Sequence, residues 1–385
     1  MASEDWNWRR QREKKAFLAL EDGTVYHGCS VGFAQDRVGE VVFNTSMTGY
    51  QEILTDPSYN GQFVVMTNPE IGNTGVNQDD AESAKLFLEG FIVRQLNAPS
   101  NWRSQGSLED YLIRHQIPAL AGVDTRALTL ALRRRGTLRG CLSVEGKMDA
   151  AAAVDKARQW PGLDGVDLAC QVTADSAFEW DADGDKTSTW GMQEPLPLPK
   201  PERTVVAYDF GIKWNLARRL RLAAIGVQVV PAGTTAEEIM AMRPDGLFLS
   251  NGPADPAALK YAIDNIRSLI GRLPMMGVCM GHQLLALALG GGTYRLKFGH
   301  HGANHPVQEL RTGKVAITAQ NHNFCVDAAS LPSDVAVSHV NLNDQTVEGL
   351  EHRREPLFSV QYHPEAAPGP RDSLALFNRF RKLMQ

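Results

Sequence analysis

A single cysteine between two glycines, at the end of an apolar run, constrains this chain more than any other feature. The segment Met275–Leu285 contains Cys279 flanked by Gly277 and Gly281, and a Leu/Ala-rich stretch follows. This Gly-x-Cys-x-Gly pattern is typical of a nucleophile elbow, where the nucleophile lies on a sharp strand-to-helix turn. The unpaired N–H groups and dipole of the following helix would favour the thiolate there. The alternative is a buried structural cysteine, and the surrounding sequence distinguishes the two.

The elbow follows a regular alternation of strand and helix patterns that begins near residue 204. Thr204–Phe210 is an almost continuous apolar run, typical of a strand that is buried on both faces of a parallel sheet. The last such run, Pro274–Val278, leads directly into the elbow. This repetition predicts an open, mostly parallel α/β sheet with right-handed crossovers. Ligands of such sheets bind beyond the carboxyl ends of the strands, where Cys279 falls.

The first half of the chain has a different pattern, and 385 residues favour two domains. Short strand-like runs and helix-like runs occur at Ala16–Leu20, Thr24–Tyr26, Glu40–Asn44, Phe63–Thr67, Ala81–Leu88, Leu108–Arg114 and Ala127–Arg134. The proline-rich stretch Glu194–Pro201 cannot sustain a helix or an interior strand. We therefore predict a smaller, strand-rich α/β domain over 1–180, a linker over 181–203 and the open-sheet domain over 204–385.

Composition narrows the classes of function. The net charge of −5 gives no electrostatic basis for binding nucleic acid or an anionic membrane. No apolar run approaches the length that spans a bilayer. The five cysteines are scattered and form no Cys-x-x-Cys pair, so neither a zinc site nor a disulfide framework is indicated. The cysteine pattern favours a reducing compartment.

A thiolate nucleophile needs a base, and one histidine among ten has a suitable setting. The strand-like run Leu357–Tyr362 ends in His363-Pro364-Glu365. Proline stops the strand, and Glu365 is close enough along the chain to orient the imidazole. Taken alone, the tripeptide could equally be a surface histidine and glutamate. Together with a cysteine elbow in an α/β sheet, it indicates a Cys-His-Glu triad.

Several segments, spread over nearly the whole chain, carry a resemblance to one family. They are Gly39–Glu52, Thr55–Tyr59, Gly122–Arg126, Tyr208–Gly211, the Cys279 elbow, Lys297–Gly302, Gln320–Asn323 and His363–Glu365. The second half resembles triad-type glutamine amidotransferases, and the whole chain resembles the small, glutamine-hydrolysing subunits of carbamoyl-phosphate synthase. The amino-terminal segments discriminate best, because anthranilate- and guanylate-forming amidotransferases share the elbow but lack that first domain.

The resemblance implies a role for each residue of the triad. Cys279 attacks the glutamine amide carbon, His363 transfers the proton, and Glu365 orients His363. The intermediate is a glutamyl thioester, which water hydrolyses to glutamate. By the same resemblance, the backbone N–H groups of Gly252 and Met280 form the oxyanion hole.

The family's glutamine-binding positions also map onto this sequence. They are Ser58, Gly252, Ala254, Met280, Gln283, Asn321, Asn323 and Phe324. Ala254 and Asn323 stand where glycine is usual or common, and Asn323 resembles the plant and algal versions. Asparagine tolerates a left-handed backbone, whereas alanine does so poorly. We expect hydrolysis to survive, with the methyl of Ala254 either crowding its loop or requiring φ below zero.

The partner implied by the resemblance is the large synthetase subunit, which makes carbamoyl phosphate from bicarbonate and ATP for arginine and pyrimidine biosynthesis. We expect no cofactor and no metal in this chain, with ATP and magnesium on the large subunit. Two alternatives stay open: a stand-alone glutaminase or γ-glutamyl hydrolase, and a catalytically silent scaffold subunit. The expected compartment is the cytoplasm, or the plastid stroma if the source is a plant or alga.

Overall fold

The computed structural model describes residues 14–188 and 198–385, and the chain divides into two compact units. The first unit extends to Leu163 and includes Lys297–His301, while the second comprises Asp164–Leu296 and Gly302–Gln385. The segment 164–180, which the sequence placed in the first domain, therefore belongs to the second unit. Near the end of this segment, Phe178 pairs with Val229 of the large sheet, and the side chain of Trp180 is buried in the core of the second unit. Residues 189–197 of the predicted linker lie outside the described residues.

The first unit consists mainly of strands. These are β1 (Lys15–Leu20), β2 (Val25–Ser30), β3 (Arg37–Asn44), β4 (Gln62–Met66), β5 (Glu70–Ile71), β6 (Gly90–Ile92), β7 (Gln95–Leu96), β8 (Ala119–Ala121) and β9 (Leu138–Ser143). Its helices are α1 (Tyr50–Thr55), α2 (Leu108–Arg114), α3 (Thr125–Arg135) and α4 (Ala150–Gln159). Seven strands close a barrel in the order β1-β2-β8-β6-β4-β3-β9, in which β9 pairs with β1. The prediction of a strand-rich first domain is confirmed.

One predicted helix in this unit is wrong. The segment Ala81–Leu88 has no regular secondary structure. Its backbone is held by a side chain of α1 instead: Thr55 Oγ1 accepts from the N–H of Glu82 at 2.9 Å, and Ser83 Oγ donates to the carbonyl of Thr55 at 2.5 Å. These tertiary hydrogen bonds override the helical periodicity of the sequence.

The second unit alternates strands and helices before it becomes all-β. Its helices are α5 (Ala169–Val172), α6 (Asp185–Ser188), α7 (Trp214–Leu222), α8 (Ala236–Ala241), α9 (Lys260–Leu269), α10 (Met280–Ala288) and α11 (Ala375–Leu383). Its strands are β10 (Phe178–Glu179), β11 (Arg203–Asp209), β12 (Ile225–Pro231), β13 (Gly246–Leu249), β14 (Met275–Val278), β15 (Gly292–Glu309), β16 (Val315–Asp327), β17 (Val335–Asn341), β18 (Val347–His352) and β19 (Leu357–Val360).

These strands form one sheet in the order β10-β12-β11-β13-β14-β19-β18-β17-β15-β16. The run from β12 to β19 is parallel, and the pairings β19–β18 and β18–β17 are antiparallel. Alternate residues of β11 enter two different cores, Val205 and Ala207 on one face and Val206 and Tyr208 on the other. The predicted open α/β sheet is confirmed. Among the described residues, no helix is long and apolar enough to span a membrane.

Candidate active site

Cys279 lies between β14 and α10, in a backbone conformation that side chains rarely adopt. Its φ is 54° and its ψ is −106°, a strained combination that proteins retain mainly at functional sites. The N–H of Cys279 donates to the carbonyl of Val360 at 2.9 Å. A Cβ on Gly281 would lie 2.2 Å from the carbonyl oxygen of Leu249. This close approach explains why glycine follows the elbow, and the turn places Cys279 at the carboxyl edge of the parallel strands.

His363 follows β19, the strand that pairs in parallel with β14. Its N–H donates to the carbonyl of Ala319 on β16 at 2.9 Å, which fixes the backbone on the side of the imidazole. Its Nδ1 lies 2.7 Å from Oε1 of Glu365, and both side chains are buried. A nitrogen that faces a carboxylate carries the proton, so Nε2 is the nitrogen that can exchange a proton with a thiol.

Electrostatics bias this pair toward its charged form. Burial alone would lower the pKa of His363, but the charges of Glu365 and Cys279 raise it well above its ordinary value. The buried Nε2 meets no partner in hydrogen-bond geometry within the described residues. The thiol is instead directed at the carbonyl of Asn321, with Sγ 3.5 Å from that oxygen. The contribution of Cys279 to the raised pKa of His363 places the thiol near the imidazole.

Lys213, which no local sequence motif marks, belongs to the same cluster. Its Nζ donates to Oε1 of Glu365 at 2.8 Å and to the carbonyl of Ala367 at 2.6 Å. Burial alone would raise the pKa of Glu365, but Lys213 and His363 hold it below its ordinary range. The available signal was a lysine four residues beyond β11, at the edge of the sheet where ligands bind.

The elbow leaves one backbone donor for a developing oxyanion. The N–H of Cys279 is used by Val360, and the N–H of Gly281 donates to the carbonyl of Ser250 at 2.9 Å. Met280 is the first residue of α10, so its N–H has no acceptor within the helix. Gly252 follows β13, and a Cβ there would lie 2.4 Å from the carbonyl oxygen of Phe210. Both positions assigned to the oxyanion hole therefore lie just beyond the carboxyl ends of neighbouring strands, Gly252 in the loop after β13 and Met280 at the start of α10.

Four of the predicted glutamine-binding residues lie near the elbow, one on α10 and three on β16. Nε2 of Gln283 donates to the carbonyl of Phe324 at 2.7 Å and to Oε1 of Gln361 at 3.0 Å. Asn321 contributes the carbonyl that accepts from Cys279, and Asn323 is half-buried on the same strand, β16. The side-chain amide of Gln283 thus joins α10 to the strand that carries both asparagines.

Two further predicted positions have informative backbones. Ala254 has a φ of 68°. The loop therefore does not adopt a φ below zero, which was one of the two outcomes expected from the sequence. A non-glycine residue pays about 1–2 kcal/mol for that left-handed conformation. Ser58 belongs to the first unit, in the one-turn helix Pro57–Tyr59, where its N–H donates to Oδ1 of Asp56 at 2.9 Å.

A buried histidine supports the elbow from within α10. Nδ1 of His282 lies 2.9 Å from Oγ of Ser359 on β19, and the histidine side chain is fully buried. Burial lowers the pKa of His282 to about 3, so the ring is neutral at physiological pH. The contact joins the elbow helix to the strand that leads to His363, and no local sequence pattern predicts it.

Comparisons with family models and with known proteins agree on one family for this chain. Residues 18–142 match the carbamoyl-phosphate synthase small chain domain, and residues 206–383 match the class-I glutamine amidotransferase family. The chain is 52% identical over 372 residues to the carbamoyl phosphate synthase small chain of Syntrophotalea carbinolica, covering 96% of this chain and 98% of that protein. The chloroplastic small chain of Oryza sativa is 51% identical, with coverage of 96% and 82%. The small chain of Escherichia coli K12 is 49% identical, with coverage of 97% and 98%. The chain therefore belongs to the carbamoyl-phosphate synthase small chain family, as a subunit with a class-I glutamine amidotransferase domain.

Proposed function

We propose that this chain hydrolyses the side-chain amide of L-glutamine through a triad of Cys279, His363 and Glu365. The observation that carries the proposal is the strained cysteine at the elbow, facing a buried imidazole whose Nδ1 is 2.7 Å from a carboxylate. The raised pKa of His363 favours an imidazolium, the form that can stabilise a cysteine thiolate when it acts as a nucleophile.

The reaction proceeds in two halves. The thiolate of Cys279 attacks the amide carbon, and the N–H groups of Met280 and Gly252 stabilise the oxyanion. The tetrahedral intermediate then loses ammonia after His363 gives its proton to the leaving nitrogen, which leaves a glutamyl thioester. Water attacks the thioester while His363 accepts a proton, and glutamate departs with the thiolate restored.

The remaining glutamine contacts are proposed from the same site. Gln283, Asn321, Asn323 and Phe324 lie on α10 and β16 beside the elbow. Gly252 and Ala254 would provide backbone groups from the loop after β13, and Met280 would provide its N–H from the start of α10. These positions would hold the amino acid part of the substrate while its amide reaches Cys279.

The ammonia is proposed to pass to a large carbamoyl-phosphate synthase subunit, which combines it with bicarbonate and ATP. This chain would then need no cofactor, with ATP and magnesium held by that partner. The product would supply arginine and pyrimidine biosynthesis. The names of the relatives support the partner, and the chloroplastic rice relative supports a plastid location as an alternative to the cytoplasm. Fractionation of source cells with an antibody to the chain distinguishes the two compartments.

The proposal is tested by reacting the protein with a chloroketone analogue of glutamine and mapping the adduct. We expect modification of Cys279, protection by glutamine, and no modification of the exposed Cys170. Labelling elsewhere, with hydrolysis intact, would overturn the assignment. Co-purification with a larger synthetase chain, and faster hydrolysis in that complex, separates a synthetase subunit from a stand-alone glutaminase.

A further inference from the structure

A cavity of about 570 Å³ lies in the second unit, between α11 and the strands β15, β16 and β17. This volume is within the range of small-molecule binding sites. Cys279, His363 and Glu365 are not among the residues that line it. The cavity is therefore separate from the proposed glutamine site and needs its own explanation.

The floor of the cavity is aromatic and apolar. The rings of His339 and Tyr362 meet edge to face, with centroids 5.9 Å apart and planes at 71°. Val307, also in the floor, is buried. Burial lowers the pKa of His339 to about 4, so its ring is neutral near pH 7. Such a floor suits a flat or apolar body rather than a second charge.

The rim carries three cations, Arg311, Lys314 and Arg379, and two carboxylates. Both carboxylates are already engaged. Glu309 accepts from Nη2 of Arg311 at 3.1 Å, and Asp372 accepts from the N–H of Ile317 at 3.0 Å. Both carboxylates on the rim therefore have protein donors of their own.

The cations differ in how firmly they are held. Arg379 pairs with Glu351 at 2.8 Å and lies over the ring of Phe358, 4.2 Å from its centroid. Lys314 is exposed at the β15–β16 turn, and no carboxylate of the described residues lies within ion-pair distance of its Nζ. An ammonium at the mouth of a cavity with an apolar floor is a suitable partner for an anionic head group.

We propose that this cavity binds a small organic anion, whose carboxylate or phosphate monoester meets Lys314 and whose apolar or aromatic body lies on Tyr362 and His339. The proposal rests on the volume of the cavity, its apolar floor and the exposed ammonium of Lys314 at its mouth. It concerns a second ligand site and goes beyond glutamine hydrolysis.

The position of the cavity connects it to the proposed base. Tyr362 precedes His363 in the chain, and Ala319, whose carbonyl accepts from the N–H of His363, lies on the strand that begins at the cavity. An occupant that moves Tyr362 or the start of β16 would move the imidazole. This coupling rests on the proposed hydrolysis, whereas binding itself does not.

The test is calorimetric titration of the full chain with phenyl phosphate, benzoate and benzyl alcohol. We expect one of the two anions to bind and the neutral alcohol to bind at least tenfold more weakly; which anion binds identifies the head group. Lys314→Gln should raise the Kd about tenfold, the value of one charge-assisted contact. Lys260→Gln, a change at an exposed lysine of α9, should leave it unchanged.

Ala316→Trp provides a second variant, since it fills the cavity from a half-buried position on β16 and should abolish binding. No binding of either anion, or equal binding by the Lys314→Gln and parent proteins, would overturn the proposal. Saturation with the bound anion should change the glutamine hydrolysis rate at least twofold in the parent protein but not in Ala316→Trp. Binding of the anion without a change in the hydrolysis rate would overturn the coupling alone. If the protein does not hydrolyse glutamine at all, the proposed function fails, but the titrations still test anion binding.

Discussion

Nζ of Lys213 lies 2.8 Å from Oε1 of Glu365, and both side chains are almost fully buried. The same carboxylate oxygen faces Nδ1 of His363 at 2.7 Å. One buried anion thus holds two cationic groups that come from distant parts of the chain. Lys213 balances the charge of Glu365 whatever the protonation state of the imidazole, so the lysine acts as a positioning residue.

Loss of this lysine should destabilise the second unit. In Lys213→Met the carboxylate stays buried with one partner fewer, and breaking a buried pair costs about 3–5 kcal/mol. We expect the free energy of unfolding to fall by roughly that amount in denaturant titrations, and glutamine hydrolysis to fall with it. Lys260→Met, at an exposed position on α9, is the matched control. Equal stability of the two variants would contradict the assigned role.

Ala254→Gly should relieve strain in the loop after β13. Ala254 has a φ of 68°, which glycine adopts freely. We expect the free energy of unfolding to rise by up to about 1 kcal/mol. If the methyl group also crowds the substrate, the KM for glutamine falls.

The matched control is Ala224→Gly, because Ala224 has a similar φ of 62° in the turn between α7 and β12. That variant relieves the same backbone strain but also removes a buried methyl group, so the prediction that it tests is an unchanged KM. Steady-state kinetics of both variants separate a general backbone effect from one on glutamine binding. An unchanged KM in Ala254→Gly would remove the concern about its methyl group.

The buried histidine of α10 should make the protein sensitive to acid. The pKa of His282 is lowered to about 3, whereas an unfolded histidine titrates near pH 6.5. The unfolded state therefore binds the proton first, so stability is full above about pH 6.5 and falls as pH decreases toward the folded value. Each pH unit in that window costs up to about 1.4 kcal/mol.

Denaturant titrations between about pH 6.5 and 5 check this dependence. His282→Gln should show a slope that is shallower by up to about 1.4 kcal/mol per pH unit. Ser359→Ala removes the hydrogen-bond partner but keeps the buried ring, so it should be less stable at every pH with the parent slope. The same slope in all three proteins would show that His282 does not control acid stability.

Much of the secondary structure of the second unit can be predicted from its sequence, because the patterns that indicate its strands and helices are local. The buried run Thr204–Phe210 predicts β11 to within one residue at each end. The strand β15 escaped prediction, since its Gly299–Gly302 stretch interrupts any alternating pattern. It is built by pairing with β17, which is distant in sequence.

Local sequence patterns identify the triad residues, but they do not identify the side chains that hold the triad in place. Cys279 and His363 each stand at the end of a strand-like run, and a pattern search finds such positions. Lys213 and Ser359 act through partners that lie 152 and 77 residues away along the chain. Only the sheet order brings these partners together, so a single sequence carries no local signal for them.

The elbow glycine should not tolerate a side chain. A Cβ on Gly281 would lie 2.2 Å from the carbonyl oxygen of Leu249, which is fixed in β13. Gly281→Ala should lose hydrolysis and about 1–3 kcal/mol of stability as backbone shifts to relieve the overlap. Gly233→Ala, where a Cβ meets nothing within 4 Å, is the control and should keep both properties. Parent-level hydrolysis in Gly281→Ala would refute this account of the turn.

The most direct measurement of the central claim is intact-mass spectrometry of the protein quenched with acid during glutamine turnover. We predict a glutamyl group bound through Sγ of Cys279, absent in Cys279→Ser and lost on standing at neutral pH. Release of ammonia by Cys279→Ser at the parent rate, or turnover in which Cys279 never carries the acyl group, would contradict it.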